Sequence, residues 1–429
     1  MLRDFPGHPA RDHDPELRSS IGCTLYGDEV DCHGDSWMFL LWSSDTSPVS
    51  THSPSSRWPI CILPASKYAY AGDVNITLQA VTQAITASFN RLSIDGIPVL
   101  DLPSLGGRVV ARLHFYCMGH RGDWKALVTL FNMKRNYSAN QVCWLCHADK
   151  GADGDLSMCL TDVSHFANWW GTLHQTMPWE TVPSYAGLIG FGISQIVPDL
   201  LHVWNLGVSR DLLGSALKLV LSERHVFNGP TLPDRLKQAT ESLRRFAKQN
   251  RYPLRLRKLT RSKLCWKTRK YPMLSSSGYD AYVVGLWLEH ELSMHAALYQ
   301  EICTMLWASN KAISLLYSAG RFLNQGEKDS LGALGDLFLR VYLSMAAQAK
   351  QRHKLTFRVR PKLHMLCHIF RSPRMINPSR YSTWMDEDFL KKCGKTLGLT
   401  DVRGSHHRLL ERWLMSIPHN LQKKLGCLA

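Results

Sequence analysis

Arg108-Val-Val-Ala-Arg-Leu-His-Phe-Tyr-Cys117, running on through Met118-Gly-His-Arg-Gly-Asp123, is the stretch on which the fold of this chain turns. Val109, Ala111, Leu113 and Phe115 recur at every second position, the pattern of a half-buried strand, and the glycines at 119 and 122 punctuate it just before an acid. Upstream, Asn75–Leu92 repeats apolar residues at helical spacing: Ile76, Leu78, Val81, Ile85 and Phe89. Before that helix come three short strands: Ile21–Tyr26, ending at Gly27-Asp28, then Trp37–Trp42, then Trp58–Leu63. The connector Ser43–Arg57 is rich in Ser, Thr and Pro and reads as a loop, so the three strands form an antiparallel meander.

Downstream the pattern changes. From about Asp199 to Gln351 it is nearly all helical, with Leu200–Leu221, Tyr282–Leu315 and Leu331–Ala347 as the clearest segments. Ser382–Gly398 reads as a last helix, and nothing repeats at a fixed period. Three strands, a helix and a further strand make the opening order of an RNase H-like fold. The expected class is therefore α/β, an RNase H-like core interrupted by a large, mostly helical insertion. The boundaries follow: a disordered arm over 1–20, the first part of the core over 21–135, the insertion over 136–370, and the rest of the core with a tail over 371–429.

With 429 residues there is room for two or three domain-sized units, and 45% apolar with 20% charged residues argues against a disordered chain. No eighteen-residue stretch is apolar and uncharged, and the first residues carry no apolar signal core, so neither a membrane partner nor secretion is expected. The twelve cysteines then read as reduced thiols or metal ligands. The net charge is +16, and it is concentrated. Twelve basic residues and no acid lie between positions 244 and 270: Arg244, Arg245, Lys248, Arg251, Arg255, Arg257, Lys258, Arg261, Lys263, Lys267, Arg269 and Lys270. Such a run attracts a polyanion, nucleic acid above all, although a solvated charged face looks the same in sequence. Phe246, Tyr252, Trp266 and Tyr271 are interleaved with it, as rings that stack on exposed bases would be.

Three constellations could carry chemistry. Asp28 and Asp123 follow the first and fourth strands, and Glu387 opens the last helix; carboxylates converging from such places hold Mg²⁺ or Mn²⁺ for phosphoryl transfer. Each alone is equally a cap or turn former. Asp31 and Asp35 compete with Asp28, and Asp386 and Asp388 with Glu387. Second, Cys143-Trp-Leu-Cys146 has zinc-ligand spacing, and His364 and His368, four apart on a helix, supply the other half of a tetrahedral Cys₂His₂ shell. His147 and Cys367 are spare candidates. Third, Asp199 and His202 stand three apart at a helix start, where an Asp cap is the commonplace reading.

In order and spacing these pieces resemble the DDE-type transposases of cut-and-paste DNA elements, the zinc-containing group with CACTA-like elements and the antigen-receptor recombinase. There, acids end the first and fourth strands and a CxxC follows about twenty residues later, as Cys143 follows Asp123. A [C/D]xxH motif lies in a helical insertion, as Asp199 and His202 do, and a histidine pair precedes the catalytic glutamate, as His368 precedes Glu387 by nineteen residues. The resemblance covers roughly 21–400. It implies Asp28, Asp123 and Glu387 on two Mg²⁺ (or Mn²⁺), a structural Zn²⁺ on Cys143, Cys146, His364 and His368, and Asp199 and His202 beside the active site. It further implies a nuclear protein acting on transposon ends and target DNA as a homo-oligomer. The family's N-terminal DNA-binding region has no counterpart in the twenty residues before the first strand. The rival readings are a catalytically silent, DNA-binding relic and a cysteine-dependent hydrolase, for which no nucleophile motif is present.

Overall fold

The computed structural model describes the chain apart from residues 1–4, 6, 15–16, 46–52, 102–105, 153, 176, 373, 400–403, 405–406 and 416–429. Parts of the 43–57 connector and of the C-terminal tail thus lie outside the described residues. The chain divides into two compact units: Met1–Ala139 with His174–Val197 and Ser382–Ala429, and Asn140–Leu173 with Pro198–Tyr381.

The first unit is a mixed α/β structure. The strands of its five-stranded sheet are β1 (Ser20–Cys32), β2 (Asp35–Ser44), β3 (Trp58–Pro64), β4 (Ile97–Leu100) and β5 (Val109–Arg121), in the spatial order β3-β2-β1-β5-β4. The meander β1-β2-β3 is antiparallel, as its alternation predicts, and β5 lies parallel to β1. β1 does not stop at Asp28; it runs to Cys32 because the β1–β2 ladder continues to the His33-Gly34 turn. The parallel ladder to β5, however, ends at Tyr26 opposite Arg121, so Asp28 sits where β1 loses that neighbour. β4, unforeseen from sequence, is an antiparallel edge strand on β5.

The helix α1 (Ile76–Ile94), capped by Asn75 accepting from the Leu78 amide, packs on the sheet beside β5 through Leu78, Ile85 and Phe89. A closing helix, Trp384–Leu397, sets Phe389, Leu390 and Leu397 against Tyr26, Trp37, Phe39 and Ile62. Residues 5–20, where described, are no disordered arm. Ala10 is buried against Tyr116 and Met118 with Phe5 and Leu17 around it, and Asp14 accepts from Ser19 and Ser20. Residues 174–197, read from sequence as insertion, belong to this unit. Tyr185 and Phe191 pack on Phe131 and His120, and the Val197 amide donates to the His120 carbonyl. The short helix α2 (Trp124–Leu130) follows β5 directly.

The second unit is helical. A π-helical turn, Leu201–Val208, runs into α3 (Ser209–Glu223); α4 (Leu232–Gln249), α5 (Gly278–Ser293), α6 (Gln300–Ser318), α7 (Gln325–Gln351) and α8 (Pro361–Phe370) follow. The segment read as one helix over 282–315 is two, broken at Met294–Tyr299. Capping boxes at Thr231/Asp234 and Asn324/Glu327 start α4 and α7. α7 is long and apolar enough to cross a bilayer by length and composition. It packs along α6 and α8, with Phe338, Leu339 and Tyr342 fully buried and Asp336 ion-paired to Arg371.

Candidate functional site

Two structural elements of the second unit build its metal-ligand cluster. An irregular loop, pinned by the Val142 amide donating to the Ala148 carbonyl, presents Cys143 and Cys146, and α8 presents His364 and His368 from one face. All four are buried, and their ligand atoms lie within 4.8 Å of one another. Cys143 Sγ is 3.4 Å from His368 Nε2, and Cys146 Sγ is 3.3 Å from His364 Nε2 and 3.5 Å from His368 Nε2. The two imidazole nitrogens are 3.0 Å apart. Metal–sulfur and metal–nitrogen bonds of about 2.3 and 2.0 Å in a tetrahedron separate S from N ligands by about 3.5 Å. The set therefore fits one metal ion such as zinc.

Electrostatics agree. Burial pushes the Cys143 thiol up, but hydrogen bonding with Cys146 and the imidazoles of His368 and His364 outweigh it and hold its pKa well below the usual thiol value. The Leu145 amide donates to the Cys143 sulfur at 3.3 Å. Burial lowers the His364 pKa, favouring the neutral imidazole that ligates. Trp169 packs edge-on against His364 and His368, and Trp170 against His368, walling the cluster from water. The spare candidates fall away. Cys367, its thiol pushed up to about 12 by burial, donates to the Leu363 carbonyl. His147 lies outside the cluster, with its amide on Thr172 Oγ1.

The acids belong to the first unit. Gly122 abuts β1 so closely that a Cβ there would meet the Gly27 carbonyl oxygen at 2.3 Å. Asp123 and Asp28 are the residues that follow these two glycines, just past the end of the parallel ladder. Asp28 is buried and accepts from the Tyr26 hydroxyl at 2.7 Å and the Glu29 amide at 2.8 Å. Tyr26 also reports on Glu387: burial, then the charges of Asp28, Glu387 and Asp386, drive the phenol pKa well upward. Asp123 is the N-cap of α2, accepting from the Ala126 amide at 2.6 Å. Among the described residues, the three acids do not draw together within 4.8 Å as the Cys₂His₂ group does.

The competing acids have other partners. Asp386 is fully buried and pairs with Arg57 Nε at 2.5 Å and Arg121 Nη2 at 3.2 Å. Asp388 binds Lys392 and the Ser53 hydroxyl. Asp31 is exposed, and Asp35 binds the Ser36 and Ser66 amides near the β1–β2 turn. Arg57 and Arg121 are residues that sequence reasoning passed over. They fasten the first turn of the closing helix, and with it Glu387, to the end of β5 two residues before Asp123.

In the second unit, Asp199 accepts from the Leu201 and His202 amides and holds His202 Nδ1 at 2.5 Å. The carbonyl of His202 in turn accepts from Lys362 Nζ. The basic run spans the end of α4 and the irregular segment after it. All twelve cations are exposed, while Leu256, Leu259 and Leu264 anchor the segment in the core. None of the twelve forms a side-chain ion pair among the described residues. The interleaved rings differ from expectation: Phe246 packs against Tyr252 and His290, Trp266 is half-buried, and only Tyr271 of the four is exposed. No family model matches this chain, and no curated protein matches it.

Proposed function

We propose that the chain is a DDE-type DNA transposase, or a protein derived from one, with an RNase H-like core and a zinc-tethered helical insertion. The observation that carries this reading is the meeting of three segments at one end of the sheet: Gly27-Asp28, Gly122-Asp123 and the first turn of the helix bearing Glu387. The strand order β3-β2-β1-β5, with β5 parallel to β1, supports the RNase H-like core, and the antiparallel β4 is an addition to it. Asp28, Asp123 and Glu387 would hold two Mg²⁺ or Mn²⁺ through hard carboxylate oxygens, and two ions about 3.5–4 Å apart accept a wider spread of ligands than one shell. Bound there, the ions would supply activation of the attacking oxygen and charge stabilisation of the leaving one. The chain's own part is positioning: Tyr26 orients Asp28, and the Arg57–Asp386–Arg121 clamp sets Glu387. Cys143, Cys146, His364 and His368 would hold one structural Zn²⁺, since four protein ligands leave no position for water. The resemblance to the family adds element ends and target as substrates, a homo-oligomer and a nuclear site of action.

The cap bond from Ala126 to Asp123 favours a second reading, a relic that binds DNA without cutting it. Nicking of supercoiled plasmid separates the two. The wild type should nick with Mg²⁺ or Mn²⁺, and Asp123→Asn should abolish cleavage while retaining DNA binding. A wild type that binds but never nicks is the relic; cleavage persisting in Asp123→Asn removes that acid from the mechanism.

A further inference from the structure

The run 244–270 is not the only acid-free basic stretch. From Leu337 to Met385 the sequence holds ten Lys or Arg and no acid. The two runs together take twenty-two of the fifty-one basic residues, so the rest of the chain carries a net charge of −6. Sixty-six residues of sequence separate them, yet both are fastened to consecutive residues of α3. The Arg210 carbonyl accepts from the Leu274 amide, and its guanidinium donates to the Ser276 carbonyl; amides 273 and 275 in turn donate to the carbonyls of Leu264 and Lys263. The next residue, Asp211, pairs with Arg360 at 2.6 Å, and Ser215 accepts from the Phe357 amide.

The second run divides its cations between two tasks. Arg360 and Lys362 are half-buried and spend their charge on Asp211 and on the Gly207 and His202 carbonyls. Lys350, Arg352, Lys354 and Arg358 are exposed, and none has a side-chain ion pair among the described residues. Arg255, Arg257, Lys258 and Lys263 line a cleft of about 540 Å³ with the serines 275–277 and the buried Asp280, which accepts from the Arg255 amide. Like charges within each set repel one another, and a polyanion lying along them relieves the repulsion.

We infer that Lys350, Arg352, Lys354 and Arg358 form a second phosphate-binding arm which, with the 244–270 run, grips the backbone of duplex DNA. The inference rests on the proposal that this chain handles DNA and adds which surface of it does so. Duplex is the form favoured because three of the four rings among the cations are at least half-buried: Phe246 packs against Tyr252 and His290, and Trp266 is half-buried, leaving mainly phosphates rather than bases to be read. Such contacts release counterions, at about 0.9 in the slope of log affinity against log salt for each phosphate neutralised.

The test is fluorescence anisotropy with a mixed-sequence duplex across a salt series, comparing full-length wild type, K350A/R352A/K354A/R358A and R255A/R257A/K258A/R261A. Each quadruple variant should flatten the slope by about 3 to 4 and lower affinity most at low salt. The eight-fold variant should flatten it further than either. Circular dichroism and metal content should stay as in the wild type, since every altered side chain is exposed. A second-run variant at wild-type slope, while the first-run variant flattens it, overturns the second arm and leaves the DNA reading standing. A wild type without salt-dependent duplex binding overturns both. Tighter binding of the matched single strand than of the duplex overturns the duplex assignment.

Discussion

Asp386, Glu387 and Asp388 are adjacent in sequence, and three neighbouring carboxylates could hardly be surrounded more differently. Asp388 is half-exposed and tied to a lysine one turn on, a pair worth a few tenths of a kcal/mol. Asp386 is wholly buried between two guanidiniums that are themselves largely buried. Removing it strands two positive charges in a low-dielectric interior, so Asp386→Ala should destabilise the protein by about 3–5 kcal/mol in denaturant unfolding. Asp388→Ala should stay within about 1 kcal/mol of wild type. A loss at Asp386 no larger than at Asp388 would deny the clamp its role. None of this was legible beforehand: Arg57 and Arg121 are 329 and 265 positions away, and sequence spacing carries no trace of such a partner. The Cys₂His₂ ligands were legible because each pair is local, three positions apart in one loop or one helical turn apart on α8.

At the scale of elements, alternation and helical periodicity located the meander, α1 and β5, since each of those patterns is written within one segment. The edge strand β4 was not legible, because Ile97-Pro-Val-Leu100 is only four residues long and three of them are exposed. The run of β1 beyond Asp28 was missed for a related reason: the Gly27-Asp28 signal reads as a turn, but a partner strand overrides it. The packing of β1 against β5 hangs on a contact that allows no side chain. A methyl group at 122 would lie 2.3 Å from a backbone oxygen that cannot rotate away. Gly122→Ala should therefore push the two strand ends apart, costing about 1–3 kcal/mol of stability as overpacking does. Divalent-metal-dependent nicking should fall with it, because Asp28 and Asp123 follow the two displaced glycines. Wild-type melting and nicking in that variant would mean that the contact is slack.

At the scale of the molecule, the metal cluster joins positions 218 residues apart within the second unit. Closing so long a loop costs chain entropy, which a structural zinc site worth on the order of 10 kcal/mol can offset. Elemental analysis should find one zinc per chain, and chelation should lower the melting temperature by several degrees, with Cys146→Ser reproducing the shift. Metal-free protein that melts as before would sink the zinc assignment. The same geometry has a consequence during synthesis. Both units wait for residues made late: the second for His364 and His368, the first for the closing helix that follows them. At roughly 5–20 residues per second, Cys143 and Cys146 would leave the ribosome about 10–40 seconds before their histidine partners. For that interval two reactive thiols and an unfinished sheet face are open to oxidants and to other nascent chains, which makes translation speed and chaperone access part of how this fold is reached.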